Sequence, residues 1–180
     1  MCNIPPQNVA EHAFADDVVQ RLNLIYEEMM WLAQRENVTS QNARAWYSAV
    51  RAESVKRKVR RFSGRVSAEA INLAAINNVE GALVLEHYLR VQASLSELLN
   101  YHVINGLNDP VAFVTFIYEH EKVHITTKAE NQQIRLHGGC YADAGVELCD
   151  WVNIPEQIRE ILWSSKLQGH VANAADYAPA

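Results

Sequence analysis

Apolar residues recur at three- and four-residue steps along most of this chain, a period that predicts amphipathic helices. Phe14, Val18, Leu22, Ile25, Met29 and Leu32 make one apolar stripe on a helix over 9–35. A turn at 37–40 follows, and Thr39 or Ser40 can cap a second helix over 41–62, with Trp46, Val50, Val59 and Phe62 inward. Ser63-Gly64 ends it, and Ser67 caps a short helix over 67–76. Leu85, Tyr88, Leu89, Leu95, Leu99 and Val103 give a broad apolar face to a third long helix over 82–104, closed by Asn105-Gly106.

Asp109-Pro110 pairs an N-cap with a proline at the first helical position and opens a helix to about residue 120. The pattern then changes. Lys122 to Thr126 is β-branched and short, which predicts a strand, and a second is expected over 146–152. Thr127-Lys-Ala-Glu130 fits a capping box for a helix to Leu136, and 155–167 forms a closing helix with Ile158, Ile161 and Leu162 inward. The expected fold is mainly α: a single-domain bundle of about six to seven helices, with a small two-stranded β element near 122–126 and 146–152. The domain is expected to span 1–169, with a flexible C-terminal tail over 170–180.

Composition agrees with that reading. At 180 residues, 49% apolar and with only 7 Gly and 5 Pro, the chain suits one helical domain. Its apolar runs are too short to cross a bilayer, so no membrane partner is expected. Residues 1–20 do not read as a signal peptide. With three cysteines, Cys2, Cys140 and Cys149, reduced thiols in the cytoplasm are the simplest expectation.

Charge adds the strongest functional signal. Arg44, Arg51, Lys56, Arg57, Lys58, Arg60, Arg61 and Arg65 are half of the 16 Lys and Arg residues, and all lie within 41–65. Glu53 is the only acid there, so the stretch carries +7, and the rest of a −5 chain carries −12. On a helix, Arg44, Arg51 and Lys58 would share a face. Such a concentration on an acidic background makes a local field suited to phosphate, or to an acidic protein surface. The sequence carries no zinc-finger, RNP or GXXG signature. The plain alternative is a solvated helix face paired with the chain's own acids.

His120-Glu121-Lys-Val-His124 is a literal H-E-x-x-H. On a helix its two histidines share a side and can hold zinc or another divalent metal, with Glu121 as general base on the bound water. That would make a metal-dependent hydrolase, a nuclease or a peptidase. The context is adverse: the β-branched residues from Val123 onward end the helix inside the motif. Thr127 stands where the longer metzincin motif has Gly, and Glu130 where it has its third ligand. His137-x-x-Cys140 has ligand-like spacing for a structural zinc site with Cys149, but a Gly-rich loop explains it equally well. Glu86-His87 does not complete a His/Asn/His nuclease pattern. It falls within the expected helix over 82–104, and neither Asn100 nor Asn108 is followed by a well-placed His before His120.

The sequence therefore favours a non-enzymatic binding protein whose basic helix meets nucleic acid or an acidic protein, without a cofactor. The metal hydrolase is the rival reading. The long apolar helix faces are compatible with a homo-oligomer.

Overall fold

The computed structural model describes residues 14–89 and 91–179, without the side chains of 51–54. The chain divides into two compact units, one from 1–59 with 90–120 and one from 60–89 with 121–180. No described helix is long and apolar enough to cross a membrane.

The first unit is helical. It contains α1 (Asp16–Ala33), α2 (Ser40–Ser54), the single turn α3 (Lys56–Val59), α5 (Val91–Asn105) and α6 (Pro110–His120). The stripe expected on α1 is the buried one at Val18, Leu22, Ile25 and Met29, joined by Tyr26 and Met30. On α2 the inward face is offset by one residue. Ala43 and Tyr47 are buried, while Trp46 is 41% exposed and its indole N–H donates to Glu28 at 2.7 Å. Tyr47 instead meets Phe113 edge-on at 6.0 Å. Thr39 caps α2, accepting from Asn42 N–H at 3.2 Å, and Asp109 caps α6, accepting from Ala112 N–H at 2.9 Å.

Tyr26 organises this core. Its hydroxyl is hydrogen-bonded to Nδ1 of buried His102 at 2.7 Å and accepts the Asp109 N–H at 3.0 Å. His102 is a hydrogen-bonded core histidine, and burial lowers its pKa.

The second unit is built on a four-stranded sheet in the order β2-β3-β1-β4. The strands are β1 (Arg61–Ser67), β2 (Leu83–His87), β3 (Lys122–Thr127) and β4 (Leu148–Asp150). β1 runs parallel to β3, and the other two pairings are antiparallel. Helices α4 (Ala68–Ala75), α7 (Lys128–Leu136) and α8 (Glu156–Leu162) complete the unit.

Both parallel strands run straight into a capped helix. Ser67 caps α4, accepting from Ala70 N–H, and Thr127 closes a full capping box with Glu130. Glu130 does more than the box requires. The same oxygen accepts from Thr127 N–H at 2.8 Å and from Ser67 Oγ at 2.6 Å, which ties the two strand ends together. A buried core of Phe62, Val66, Leu83, Val123, Ile125, Trp151, Leu162 and Leu167 lies on one face of the sheet.

This architecture corrects the pure helical bundle: the protein is mainly α but mixed. Strands were expected near 122–126 and 146–152, and β3 and β4 lie there. They do not pair with each other, because β1 lies between them. The two further strands fall where helix was expected. Ser63-Gly64 is not a helix stop but an irregularity inside β1, where the register against β3 shifts between Phe62 and Val66. Gly64 has φ +81°, a left-handed conformation that favours glycine, and a side chain there would also approach Tyr177 Oη at 3.3 Å. At β2, the alternating Leu83, Leu85 and His87 pair with β3, and a leucine spacing that also suits a helix gives way to that pairing. Glu86 lies in β2 and not on a helix, and Arg90 lies outside the described residues.

The segment expected as a loose tail makes specific contacts. The Asn173 side chain accepts from Phe62 N–H at 2.8 Å and donates to Phe62 C=O at 3.0 Å. Ala172 N–H donates to Arg60 C=O at 2.8 Å, and Tyr177 packs edge-on against Phe62 at 4.7 Å.

Candidate functional site

The basic stretch does not lie on one helix. Arg44 and Arg51 fall on α2, Lys56, Arg57 and Lys58 on α3, Arg60 just before β1, and Arg61 and Arg65 within β1. The first five belong to the helical unit and the last three to the sheet unit. The shared row of Arg44, Arg51 and Lys58 is interrupted by the break between α2 and α3. Arg44 is half-buried, and the Arg51 side chain lies outside the described residues.

Arg57, Lys58 and Arg65 are exposed. Lys58 pairs with Asp17, and its hydrogen bond holds that carboxyl below the usual range. Arg65 stands opposite Asp150 across the β1–β4 ladder at 3.3 Å. Lys56, Arg60 and Arg61 are half-buried and engaged within the protein. Ion pairs between exposed groups are weak, about 0–1 kcal/mol, so a polyanion can compete for Lys58 and Arg65.

The H-E-x-x-H residues do not share a helix. α6 ends at His120 and β3 begins at Lys122. His120 donates from Nδ1 to Phe116 C=O at 2.9 Å and stacks on the Phe116 ring at 3.7 Å. Glu121 is fully buried and accepts from His87 Nε2 at 2.9 Å. His124 is buried in β3 with Nδ1 hydrogen-bonded to Ser63 Oγ. Each residue of the motif thus has a partner outside it, and a metal shared by His120 and His124 would require those partners to be given up. In the other candidate metal group, His137 is exposed and donates to Gln133 C=O at 2.9 Å, and Cys140 is an exposed free thiol. No group of three His, Cys, Asp or Glu side chains is placed to hold a metal among the described residues.

What the fold does assemble is a polar and aromatic cluster on the sheet face opposite the core. Strand alternation puts Val123 and Ile125 in the core and His124 and Thr126 on the other side. Glu86 is the cross-strand partner of His124, so it shares that side. Ser63 reaches His124 from the irregular part of β1.

Two rings pack edge-on against the imidazole, Tyr88 at 5.2 Å and Tyr141 at 5.3 Å, and those two rings are 6.3 Å apart. Tyr88 is 52% exposed, so the cluster opens to solvent through its ring. The Tyr88 N–H donates to Lys122 C=O at 3.1 Å, which extends the β2–β3 ladder and fixes its backbone.

The electrostatics are those of a dry interior beside a surface cation. Burial, reinforced by the Arg65 charge, lowers the His124 pKa to about 4, so the ring is neutral at pH 7. Burial also pushes the Tyr141 phenol well above its ordinary value, with Glu86 adding to the effect. His124 Nε2 and Tyr141 Oη are buried without a hydrogen-bond partner among the described residues. A neutral imidazole under two rings is a packing and polar-contact element, and its low basicity suits it poorly to proton abstraction near pH 7.

Of this cluster, the sequence singled out only His124 and Arg65 as site residues. Ser63, Tyr88 and Tyr141 carried no motif. A signal for Ser63 was present: a glycine between Phe62 and Val66 can mark a bulge in a strand as readily as a helix end. Tyr88 and Tyr141 come together only through tertiary pairing. Comparison with protein-family models, with curated proteins and with solved structures gives no match.

Proposed function

We propose that this protein binds nucleic acid through the cations of the basic run 56–65, of which Lys56, Arg57 and Lys58 belong to the helical unit and Arg60, Arg61 and Arg65 to the sheet unit. The observation that carries the reading is local: residues 56–65 hold six cations, Lys56, Arg57, Lys58, Arg60, Arg61 and Arg65, and no acid. The run needs no long helix to act. The turn α3 and the strand that follows present Arg57, Lys58 and Arg65 to solvent. Contacts of this kind neutralise phosphate and release counterions, which gives affinity without reading sequence. The acidic remainder limits indiscriminate sticking to polyanions. The free thiols of Cys140 and Cys149 suit a reducing, cytoplasmic setting.

The test is fluorescence anisotropy with labelled mixed-sequence DNA and RNA at low salt, using the full chain and a variant carrying Arg57→Glu, Lys58→Glu and Arg65→Glu. All three sites are exposed, so the variant should fold, which circular dichroism verifies. Binding by the parent chain and its loss in the variant support the reading. Absence of binding to every nucleic acid at low salt overturns it. Equal displacement by polyglutamate at matched charge would point to an acidic protein partner instead.

A further inference from the structure

We infer that the nucleic acid taken by this protein is single-stranded, with Tyr88 as the platform on which an unpaired base stacks and Arg65 as the adjoining phosphate contact. The inference rests on the proposed function and narrows its substrate.

Three observations place the two groups together. Tyr88 is the exposed member of a three-ring cluster, edge-on to buried His124 at 5.2 Å. Its backbone is fixed by the hydrogen bond to Lys122 that continues the β2–β3 ladder. Arg65 is exposed on β1 and precedes Val66, which pairs with Ile125, so strand alternation sets it on the His124 face of the sheet, across β3 from Tyr88. An exposed aromatic residue held by a sheet, with a guanidinium on the same face across the neighbouring strand, is the kind of arrangement by which single strands are bound, each base supplying a π-face and each linkage a charge.

Duplex DNA and RNA hide their base faces in the stack, so the ring has nothing to receive from them. A bare cationic patch would not discriminate in this way. Glu86 lies on the same sheet face and Asp150 pairs with Arg65, so phosphate is favoured only where Arg65 can exchange Asp150 for it. The Ser63–His124 hydrogen bond and the Tyr141 ring hold the imidazole against Tyr88.

The experiment compares a labelled single strand with its own duplex, for the parent chain and for Tyr88→Ala, Tyr88→Trp and Arg65→Gln. The parent should bind the single strand at least about ten-fold more tightly, since base stacking on one aromatic ring contributes about 5- to 150-fold. Tyr88→Ala should abolish that preference with the salt dependence unchanged, and Tyr88→Trp should retain it. Arg65→Gln should weaken binding and lower the salt slope by about 0.7. Equal binding of single strand and duplex by the parent, or an unchanged preference in Tyr88→Ala, overturns the inference. In either case, loss of binding in the Arg57, Lys58 and Arg65 charge-reversal variant would leave the broader reading standing. Failure of the parent to bind either form overturns both.

Discussion

The side-chain amide of Asn173 takes both backbone groups of Phe62, accepting its N–H at 2.8 Å and donating to its C=O at 3.0 Å. β4 pairs with β1 only over Arg65 to Ser67. Asn173 therefore continues the edge of β1 where β4 has stopped, beside the point at which the strand changes register. An amide side chain presents a donor and an acceptor with the spacing of a peptide group, which lets it stand in for a strand residue.

Asn173→Ala should destabilise the sheet unit by about 1–3 kcal/mol, because a part-buried N–H and C=O lose their partners together. Urea denaturation followed by tryptophan fluorescence measures this, since Trp151 packs edge-on against Phe62 at 5.3 Å. Removal of residues 170–180 should cost at least as much as Asn173→Ala, because it also takes away Tyr177. A truncated chain as stable as the parent would show that this segment is dispensable.

His124 should make stability depend on pH in the weakly acidic range. Its pKa is about 4 in the fold against an ordinary value of 6.5, so below pH 6.5 the unfolded chain binds a proton that the folded chain does not. The stabilisation is fully present above pH 6.5 and is lost as the pH falls toward 4. At about 1.4 kcal/mol per pKa unit, the loss attributable to this residue is about 3 kcal/mol. His102, whose pKa burial also lowers, adds to the change in the same direction. His124→Gln should flatten the pH dependence between 4 and 6.5 without removing it. A curve identical to that of the parent would contradict the burial of a neutral imidazole.

Glu130 closes the Thr127 capping box and also accepts from Ser67 Oγ. Its loss should therefore exceed that of a capping residue serving one helix. Glu130→Ala is expected to cost about 2–3 kcal/mol, and Ser67→Ala, which removes both the α4 cap and the hydrogen bond to Glu130, about 2 kcal/mol. Amide hydrogen exchange should show faster opening at the start of both α4 and α7 in Glu130→Ala. Faster exchange confined to α7 would argue that the Ser67 contact contributes little.

Much of the fold was legible in local signals. The α1 stripe, the Thr39, Ser67 and Asp109 caps and the Thr127 capping box are short-range chemistry, and each is found where the residues place it. The strands β1 and β2 were not legible, because what makes them strands is distant. Leu85, Tyr88 and Leu89 have the spacing of a helix face until β3, some 40 residues later, supplies the ladder. For the same reason the basic stretch read as one helix, although its second half enters a sheet. The candidate site was legible only at His124 and Arg65, since Ser63, Tyr88 and Tyr141 reach His124 from three separate parts of the chain.

If the cations of 56–65 meet phosphate, binding must release counterions and so depend on salt. Binding of a labelled single-stranded oligonucleotide should weaken steeply with salt. The slope of log K against log salt should flatten by about 0.7 for each of Arg57, Lys58 and Arg65 replaced by Gln, or about 2 for all three. A parent chain whose binding does not respond to salt, or a triple variant with an unchanged slope, would contradict phosphate contact.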